Sequence, residues 1–459
     1  MSQLSLRCSC VRLYVAIFYF AALHKRISAA ILHAGFGGNK TLSGFVDYLQ
    51  ENLYIFENKY NVILSHRFTQ IWVTLCDFYK PMCKLAVIVP EKTVKNQPNK
   101  KNMKKIMFLL TFFAVSNFTY SQVDKVDDAI KNLMKKNRIV GLQLAVIKNN
   151  KIVKTSNYGL ANIEDSSAVD SQTVFSINSI TKTFTGVAIM QLVENGKLNL
   201  DEPISKYLDS LPNTWKNITV KHIVTHKSGL PAIWNLEGNM LSENGEILYK
   251  KLQELPLAFK AGEELRENPA NYLLLGMIIE KISGLSYEKY IAENEFKRAK
   301  MENSIKAGMG DFYKIIKHSA KPYTYFRDNI LTNVHQPMPS YLYPAGGIYS
   351  TATEMAQWVI ALQSYKLINA ENLKILLTPI VLNNGEVYQQ NGFLNQSTIG
   401  FSLSSRTKKT VIASLGGARN ALYIYPKDNV SVIILTNLMG SHPQNFIDEI
   451  ANLYLTEKE

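Results

Sequence analysis

Segments with strand character lie at both ends of the region 122–459, and this arrangement constrains the fold more than any other feature. They are residues 142–147, 151–154, 411–413, 422–425 and 431–435. Asn149-Asn150 separates the first two as a plausible tight hairpin turn, and Gly159 is expected to close the second strand. These two strand groups are far apart in sequence. We expect them to meet in a single antiparallel sheet.

The residues between these strand groups have mainly helical spacing. Apolar residues recur at helical intervals in 124–136, Ser179–Gly196, 272–283, 286–299, a segment after Thr353 that includes Trp358, and Pro443–Leu455. The predicted fold class is therefore α/β of the α+β type. It has an antiparallel sheet built from N- and C-terminal strands and flanked by helices, with a mainly helical second lobe. We expect a substrate site in the cleft between the lobes.

The basic charge of the chain is concentrated in its first part. Of a formal net charge of +14, ten units lie in residues 1–121, so the region 122–459 is close to neutral. A basic leader that is poor in acidic residues is more typical of a targeting segment than of a binding patch. We therefore expect no nucleic-acid partner.

Residues 103–121 have the layout of a secretory signal peptide. Met103-Lys104-Lys105 is a basic start, and an apolar run over 106–115 is followed by small and polar residues as far as Ser121. The run is too short to cross a bilayer comfortably, so no stable membrane span is expected. The simplest interpretation is that translation starts at Met103 and that residues 1–102 are a non-native upstream extension or a disordered leader. The alternative is a genuine N-terminal extension with a buried helix at 106–115. The first interpretation predicts a periplasmic or secreted bacterial protein whose domain occupies 122–459.

The distribution of cysteine and histidine limits the possible chemistry. The four cysteines, Cys8, Cys10, Cys76 and Cys83, all precede residue 122, which excludes a disulfide framework or a cysteine nucleophile in the main region. His222 and His226 have a spacing compatible with a metal, but no glutamate follows His222 as it does in a metalloprotease helix. The sequence predicts neither a metal nor another cofactor.

A Ser-x-x-Lys tetrad opens one of the predicted helices. In Ser179-Ile180-Thr181-Lys182, one helical turn separates the serine from the lysine on the same face. Backbone N–H groups at a helix start favour developing negative charge, and a desolvated lysine can activate a serine. Such a tetrad also occurs by chance, and the spacing alone equally allows a helix-capping serine beside a solvated lysine.

Five ordered sequence blocks give the tetrad its context. They are Phe175–Gly186, Ile218–Pro231, Asn271–Gly276, Pro344–Thr351 and Tyr423–Asn437. Together they resemble the serine β-lactamase and penicillin-binding-protein superfamily, and in particular its class C and esterase-like branch, over residues 123–455. The Ser-x-x-Lys of that superfamily is a known motif. The resemblance implies a β-lactamase/transpeptidase-like fold, a nucleophile at Ser179 and a general base at Lys182.

Two further motifs of the superfamily are altered in this chain. Its Tyr-x-Asn motif falls on Glu267-Asn268-Pro269, so Glu267 stands where the family has tyrosine. Glu267 is either a substitute base paired with Lys182, whose charged form the carboxylate would favour, or a solvated loop charge.

The superfamily's Lys-or-His-x-Gly motif falls on Ser414-Leu415-Gly416, which lacks the cation. The resemblance implies that the N–H groups of Ser179 and Gly417 form the oxyanion hole. Arg419 is a candidate for binding a substrate carboxylate, or else an exposed surface arginine.

Two functions remain open from the sequence. One is a serine hydrolase that acts through an acyl-enzyme on an ester, an amide or a peptidoglycan-type peptide. The other is a catalytically impaired member that binds a peptide or cell-wall ligand, because losing a general acid or base typically costs about 10²–10⁴-fold in rate. Either function implies a small-molecule or peptide partner. The sequence does not determine the oligomeric state.

Overall fold

A computed structural model describes residues 125–233, 245–310, 314–326, 329–335, 338–404 and 410–456. The predicted leader 1–102 and the signal-like segment 103–121 lie outside the described residues. In the part of the chain that is described, no helix is both long and apolar enough to cross a membrane.

The strands of the structure are β1 Gly141–Lys148, β2 Lys151–Asn162, β3 Ser167–Ala168, β4 Phe175–Ser176, β5 Tyr323–Phe326, β6 Ile330–Asn333, β7 Tyr349–Ser350, β8 Gln396–Ser397, β9 Ser402–Ser404, β10 Val411–Gly416, β11 Asn420–Tyr425 and β12 Val430–Thr436. Eight of them form one sheet in the order β3-β2-β1-β12-β11-β10-β9-β8. The pairs β4–β7 and β5–β6 are separate antiparallel ribbons.

The two ends of the region meet at the centre of the sheet, as predicted. β1 pairs antiparallel with β12, from Leu142 opposite Thr436 to Lys148 opposite Val430. Side chains of a strand alternate between the two faces of a sheet, and both faces are covered here. Leu142 therefore belongs to one apolar core and Ile147 to the other, which explains why the central strands are buried along their length.

The helices follow the predicted pattern. They are α1 125–136, α2 Thr181–Glu194, α3 Val220–Val224, α4 Gly245–Glu254, α5 Pro269–Ser283, α6 Tyr287–Ile291, α7 Lys297–Ala299, α8 Glu302–Ala307, α9 Tyr343–Gly346, α10 Ala352–Gln363, α11 Ala370–Leu376 and α12 Ile447–Ala451. Helices α1 and α12 contribute to the core on one face of the sheet. Helices α2, α5 and α10 contribute to the larger core on the other face.

Local backbone geometry confirms one turn prediction and corrects another. Asn149 and Asn150 have φ values of 51° and 57°, which suit the tight turn between β1 and β2. Gly159 does not end β2, which continues to Asn162. Its φ is +71° and a Cβ there would lie 2.0 Å from the carbonyl oxygen of Val140, so glycine is needed for close backbone approach.

Two predicted helices differ in detail from the structure. The segment 286–299 is helical but contains a π-helical stretch, Ala292–Phe296, between α6 and α7. The predicted Pro443–Leu455 helix is shorter: a 3₁₀ turn, Pro443–Asn445, precedes α12, which ends at Ala451. Helix ends are weakly determined by local sequence because burial against the sheet decides how far a helix extends.

Candidate active site

Ser179 lies in a 3₁₀ turn, Asn178–Ile180, that leads directly into the buried helix α2. The Lys182 Nζ lies 3.0 Å from the Ser179 Oγ and donates a hydrogen bond to it. Only 10% of the Lys182 side chain is exposed, so this contact is largely shielded from water. Ile177 and Ile180 are the cap residues, and neither the 3₁₀ turn nor α2 has a side-chain cap. The alternative of a capping serine beside a solvated lysine is therefore wrong.

Glu267 joins this pair from the loop before α5. Its Oε1 accepts a hydrogen bond from the Lys182 Nζ at 2.5 Å, and 69% of the Glu267 side chain is exposed. The positive charge of Lys182 holds the pKa of the Glu267 carboxyl below its usual value, and the hydrogen bond from Lys182 acts in the same direction. The carboxylate is consequently ionised at neutral pH. Glu267 is exposed, as expected for a solvated loop charge, but its carboxylate is bound to Lys182, the candidate general base.

His226 holds the loop that carries Glu267. Its carbonyl oxygen accepts a hydrogen bond from the N–H of Arg266 at 3.0 Å, and its Nδ1 accepts one from the N–H of Asn268 at 3.1 Å. The amide of Asn271 contacts the same Nδ1 at 3.0 Å. Burial lowers the pKa of His226 to about 4, and the positive charge of Lys182 contributes to this shift. The neutral imidazole is therefore a fixed acceptor for the loop.

Polar residues around this loop complete its attachment. Asn268 caps helix α5 and donates from Nδ2 to the carbonyl oxygens of Leu230 and Pro231, at 2.8 and 3.1 Å. The Ser228 Oγ donates to the Asn271 Oδ1 at 2.6 Å. The block around residue 226 thus orients the altered second motif, a role that the sequence pattern did not reveal because these residues are neighbours only in space.

Tyr272 does not replace the missing motif tyrosine. Its hydroxyl is buried and has no hydrogen-bond partner in the described part of the chain. It presents its ring to the site, with the Lys182 Nζ 5.7 Å from the ring centroid and the His226 ring centroid 5.2 Å away. A tyrosine that acts as acid or base must offer its oxygen to the reacting groups. Tyr272 therefore offers no hydroxyl to Ser179 or Lys182, and the titratable side chain bound to Lys182 is that of Glu267.

The glycines of the third motif lie against the nucleophile segment. A Cβ at Gly416 would lie 2.2 Å from the Ile177 carbonyl oxygen, and one at Gly417 would lie 3.2 Å from the Asn178 side chain. Gly417 also has a φ of +57°, which suits glycine. The end of β10 is thus beside Ser179, where the predicted oxyanion segment is needed. The pairing of the two N–H groups around an oxyanion remains a prediction.

Ser414, which stands at the family's cation position, is buried within β10. Its Oγ lies 3.5 Å from the Gly400 carbonyl oxygen, at the long end of the hydrogen-bond range. Gly400 in turn packs on the backbone of Lys182, because a Cβ there would lie 2.7 Å from the Lys182 carbonyl oxygen. The Ser414 side chain therefore contributes to packing beside Lys182 and supplies no charge to the site.

The structure corrects both alternatives that the sequence left for Arg419. Arg419 is only 2% exposed, so it is not a surface arginine, and its guanidinium is not presented to a dissolved substrate carboxylate. Its Nη2 donates to the Asn178 Oδ1 at 2.9 Å. Sequence could not reveal this contact because the two residues are 241 positions apart.

The histidines that suggested a metal have other partners. The His222 Nδ1 accepts the N–H of Thr219 at 3.2 Å, and Thr219 caps helix α3 in return. The corresponding nitrogen of His226 binds the loop before α5. Among the residues that the structure describes, no group of three potential metal-binding side chains is present.

Comparison with known proteins identifies the family. A family model described as Beta-lactamase matches residues 126–456. The chain belongs to the beta-lactamase family. The match includes the tetrad at Ser179 and both altered motifs. It confirms the superfamily that the sequence blocks indicated.

Individual relatives are identical to this member of the family at about a quarter of the aligned positions. Protein flp of Staphylococcus aureus (strain COL) is 25% identical over 351 residues, which cover 74% of this chain and 68% of that protein. The teichoic acid D-alanine hydrolase of Staphylococcus aureus (strain MRSA252) is 27% identical over 310 residues, which cover 67% of this chain and 72% of that protein. The crystal structure of a penicillin binding protein from Bacillus halodurans has a TM-score of 0.58 at 27% sequence identity. The similarity covers 70% of this chain and 98% of that protein. The predicted fold class is thereby confirmed.

Proposed function

We propose that this chain is a serine hydrolase that acts through an acyl-enzyme on Ser179. The observation that carries the proposal is the 3.0 Å hydrogen bond between the Lys182 Nζ and the Ser179 Oγ at the start of a buried helix. The substrate is an ester, an amide or a peptidoglycan-type peptide. An ester of a small acyl group is the first to test, because one relative is a teichoic acid D-alanine hydrolase.

The proposed reaction has two steps, acylation of Ser179 and hydrolysis of the acyl-enzyme. The Ser179 Oγ forms a bond to the carbonyl carbon while its proton passes to Lys182, and the N–H groups of Ser179 and Gly417 stabilise the negative oxygen. The intermediate then expels the alcohol or amine, which takes up that proton. Water attacks the acyl-enzyme in the same way, releases the acid and restores the serine hydroxyl.

Glu267 decides how Lys182 takes up a proton. An ammonium group that is paired with a carboxylate has no free electron pair and cannot accept the serine proton. In the proposed path, Lys182 passes one proton to Glu267 as it receives the proton of Ser179, over contacts of 2.5 and 3.0 Å. The lowered pKa of Glu267 opposes this transfer, so acylation is expected to be slow for the family.

The same ion pair favours a second candidate function. If Glu267 never accepts a proton, Lys182 stays charged and Ser179 remains an unactivated hydroxyl. The chain would then be an impaired family member that binds a peptide or cell-wall ligand.

Labelling with a fluorescent fluorophosphonate distinguishes the two candidates. The hydrolase is expected to form a covalent adduct on Ser179 that the Ser179→Ala variant does not form. The Ser205→Ala variant is a matched control, because the Ser205 Oγ bonds to the carbonyl of Lys216 away from the site. Absence of labelling from pH 6 to 10, in a protein that melts cooperatively, would reject the hydrolase and support the binding protein.

Export is a separate proposal that rests on the signal-like segment 103–121 alone. A secreted or periplasmic protein would be cleaved near Gln122. N-terminal sequencing of the protein recovered from cells tests this. A protein that starts at Met1 or Met103 would contradict it.

A further inference from the structure

A buried arginine lies directly behind the nucleophile. The Arg419 Nη2 donates to the Oδ1 of Asn178, the residue before Ser179, at 2.9 Å. Burial lowers the pKa of the Arg419 guanidinium to about 10, so the group remains charged at neutral pH. A charge in the protein interior is costly unless its geometry is well satisfied. The position of this charge therefore points to a specific structural task.

Asn178 has a backbone conformation that needs support. Its φ is +50°, a region that residues other than glycine rarely occupy and that asparagine tolerates best. Its side chain is held at both ends, because Nδ2 also donates to the carbonyl oxygen of Ser176 at 3.1 Å. A change of φ at Asn178 would rotate the next residue, which is Ser179. The direction of the nucleophile therefore depends on the Asn178 anchor.

The backbone of Arg419 holds the glycine turn on the other side. Its N–H donates to the Gly416 carbonyl oxygen at 3.0 Å, and its own carbonyl oxygen accepts a hydrogen bond from the Thr436 Oγ1 at 2.9 Å. Within this turn Ala418 also has a positive φ, of 55°. Arg419 thus ties the segment of Gly417 to the segment of Ser179, the two segments that the proposed function needs around the oxyanion.

We propose that Arg419 is a positioning residue that fixes the nucleophile and the oxyanion turn relative to each other through Asn178. This inference rests on the proposed function and gives Arg419 a task other than substrate binding. A displacement of about 1 Å at a reacting group can cost on the order of 10²-fold in rate. The loss is expected in the chemical step and not in substrate affinity.

The test measures Ser179 labelling by the fluorophosphonate and hydrolysis of a 4-nitrophenyl ester. Arg419→Gln is expected to lower the acylation rate constant and kcat by about 10²-fold with little change in KM. Arg419→Lys should recover part of the loss. Arg298→Gln, at an exposed arginine away from the site, is the matched control and should match the wild type.

The Asn178→Gly variant tests the connection itself. Glycine adopts a positive φ without a side-chain anchor, so Arg419→Gln should cost much less in the Asn178→Gly background than alone. Equal losses in both backgrounds would overturn the proposal. So would an Arg419→Gln variant in which fewer molecules are labelled but the rate constant is unchanged, because that result means only a loss of folded protein.

A wild-type protein that is not labelled would reject the proposed hydrolase. Crystal structures of the wild type and of Arg419→Gln then test the role of Arg419 without any activity. In Arg419→Gln, Asn178 is expected to leave its positive φ or the Gly417 turn to move away from it. Unchanged geometry at both places would overturn the positioning role whatever the activity.

Discussion

His226 fixes Glu267 by binding the residue on each side of it. Its carbonyl oxygen accepts from the N–H of Arg266, and its Nδ1 accepts from the N–H of Asn268. The carboxylate is thereby brought to Lys182 although most of the Glu267 side chain is exposed. The position of an exposed charge beside a nucleophile is therefore controlled by a neutral histidine, which makes the site sensitive to acid.

Acid should destabilise the fold through His226. Its folded pKa of about 4 lies below the ordinary value of 6.5, so the unfolded chain binds the additional proton. The stabilisation is complete above about pH 6.5 and is lost as the pH falls to about 4, with a total of roughly 3 kcal/mol. Urea unfolding from pH 4 to 7 measures this slope. His226 has a φ of 60°, which asparagine tolerates, and the asparagine Oδ1 keeps an acceptor for the loop. The His226→Asn variant should therefore flatten the slope, and equal slopes in the two proteins would contradict the assignment.

Removing the charge of Glu267 should slow acylation. If Glu267 receives the proton from Lys182, Glu267→Gln is expected to lower the labelling rate of Ser179 by at least about 10-fold at pH 7. Glu264→Gln is a control, because that exposed carboxylate pairs with Arg266 and not with the site. A faster rate in Glu267→Gln would show that the carboxylate only holds Lys182 in its charged form. In that case Glu267→Tyr, which restores the family residue, should raise the rate by about 10-fold or more.

Removing the nucleophile should leave the fold intact. Ser179→Ala deletes one hydrogen bond from Lys182, which keeps its partner Glu267. We expect the free energy of unfolding to fall by no more than about 2 kcal/mol while all esterase activity disappears. Denaturant unfolding and ester hydrolysis measure the two effects. Activity retained by this variant would place the nucleophile elsewhere.

Glu295 is expected to be protonated in the folded protein. It is fully buried, burial holds its pKa well above the usual range, and its Oε2 accepts the Trp358 indole N–H at 2.8 Å. Because the unfolded chain loses this proton first, wild-type stability should fall by up to about 1.4 kcal/mol per pH unit above about pH 4.5.

Glu295→Gln keeps the acceptor for Trp358 and cannot ionise. Its stability advantage over the wild type should therefore grow between pH 5 and 8, as measured by denaturant unfolding. Glu295→Ala should instead be destabilised at every pH, because it leaves the indole N–H without its acceptor. A constant difference between wild type and Glu295→Gln would show that Glu295 is already ionised.

The sequence by itself determined the central strands of the sheet and the placement of Ser179 beside Lys182. Alternating and β-branched residues identify β1, β10, β11 and β12. Because β1 lies at one end of the region and the other three strands lie at the opposite end, antiparallel pairing in one sheet is the simplest arrangement. Ser179 and Lys182 are neighbours because one turn of helix places them together, whatever surrounds them. Local periodicity and spacing are sufficient for such features.

Tertiary structure alone decided what the other site residues do. Whether Glu267 is a solvated charge or a partner of Lys182 depends on His226, 41 positions earlier in the chain. Arg419 appeared suited to a surface or a substrate, yet it is buried against Asn178. The charge and geometry of a side chain are visible in the sequence, but its partners and its exposure follow from how distant segments pack. The partners and the exposure decide the pKa of the side chain and the groups that it can contact.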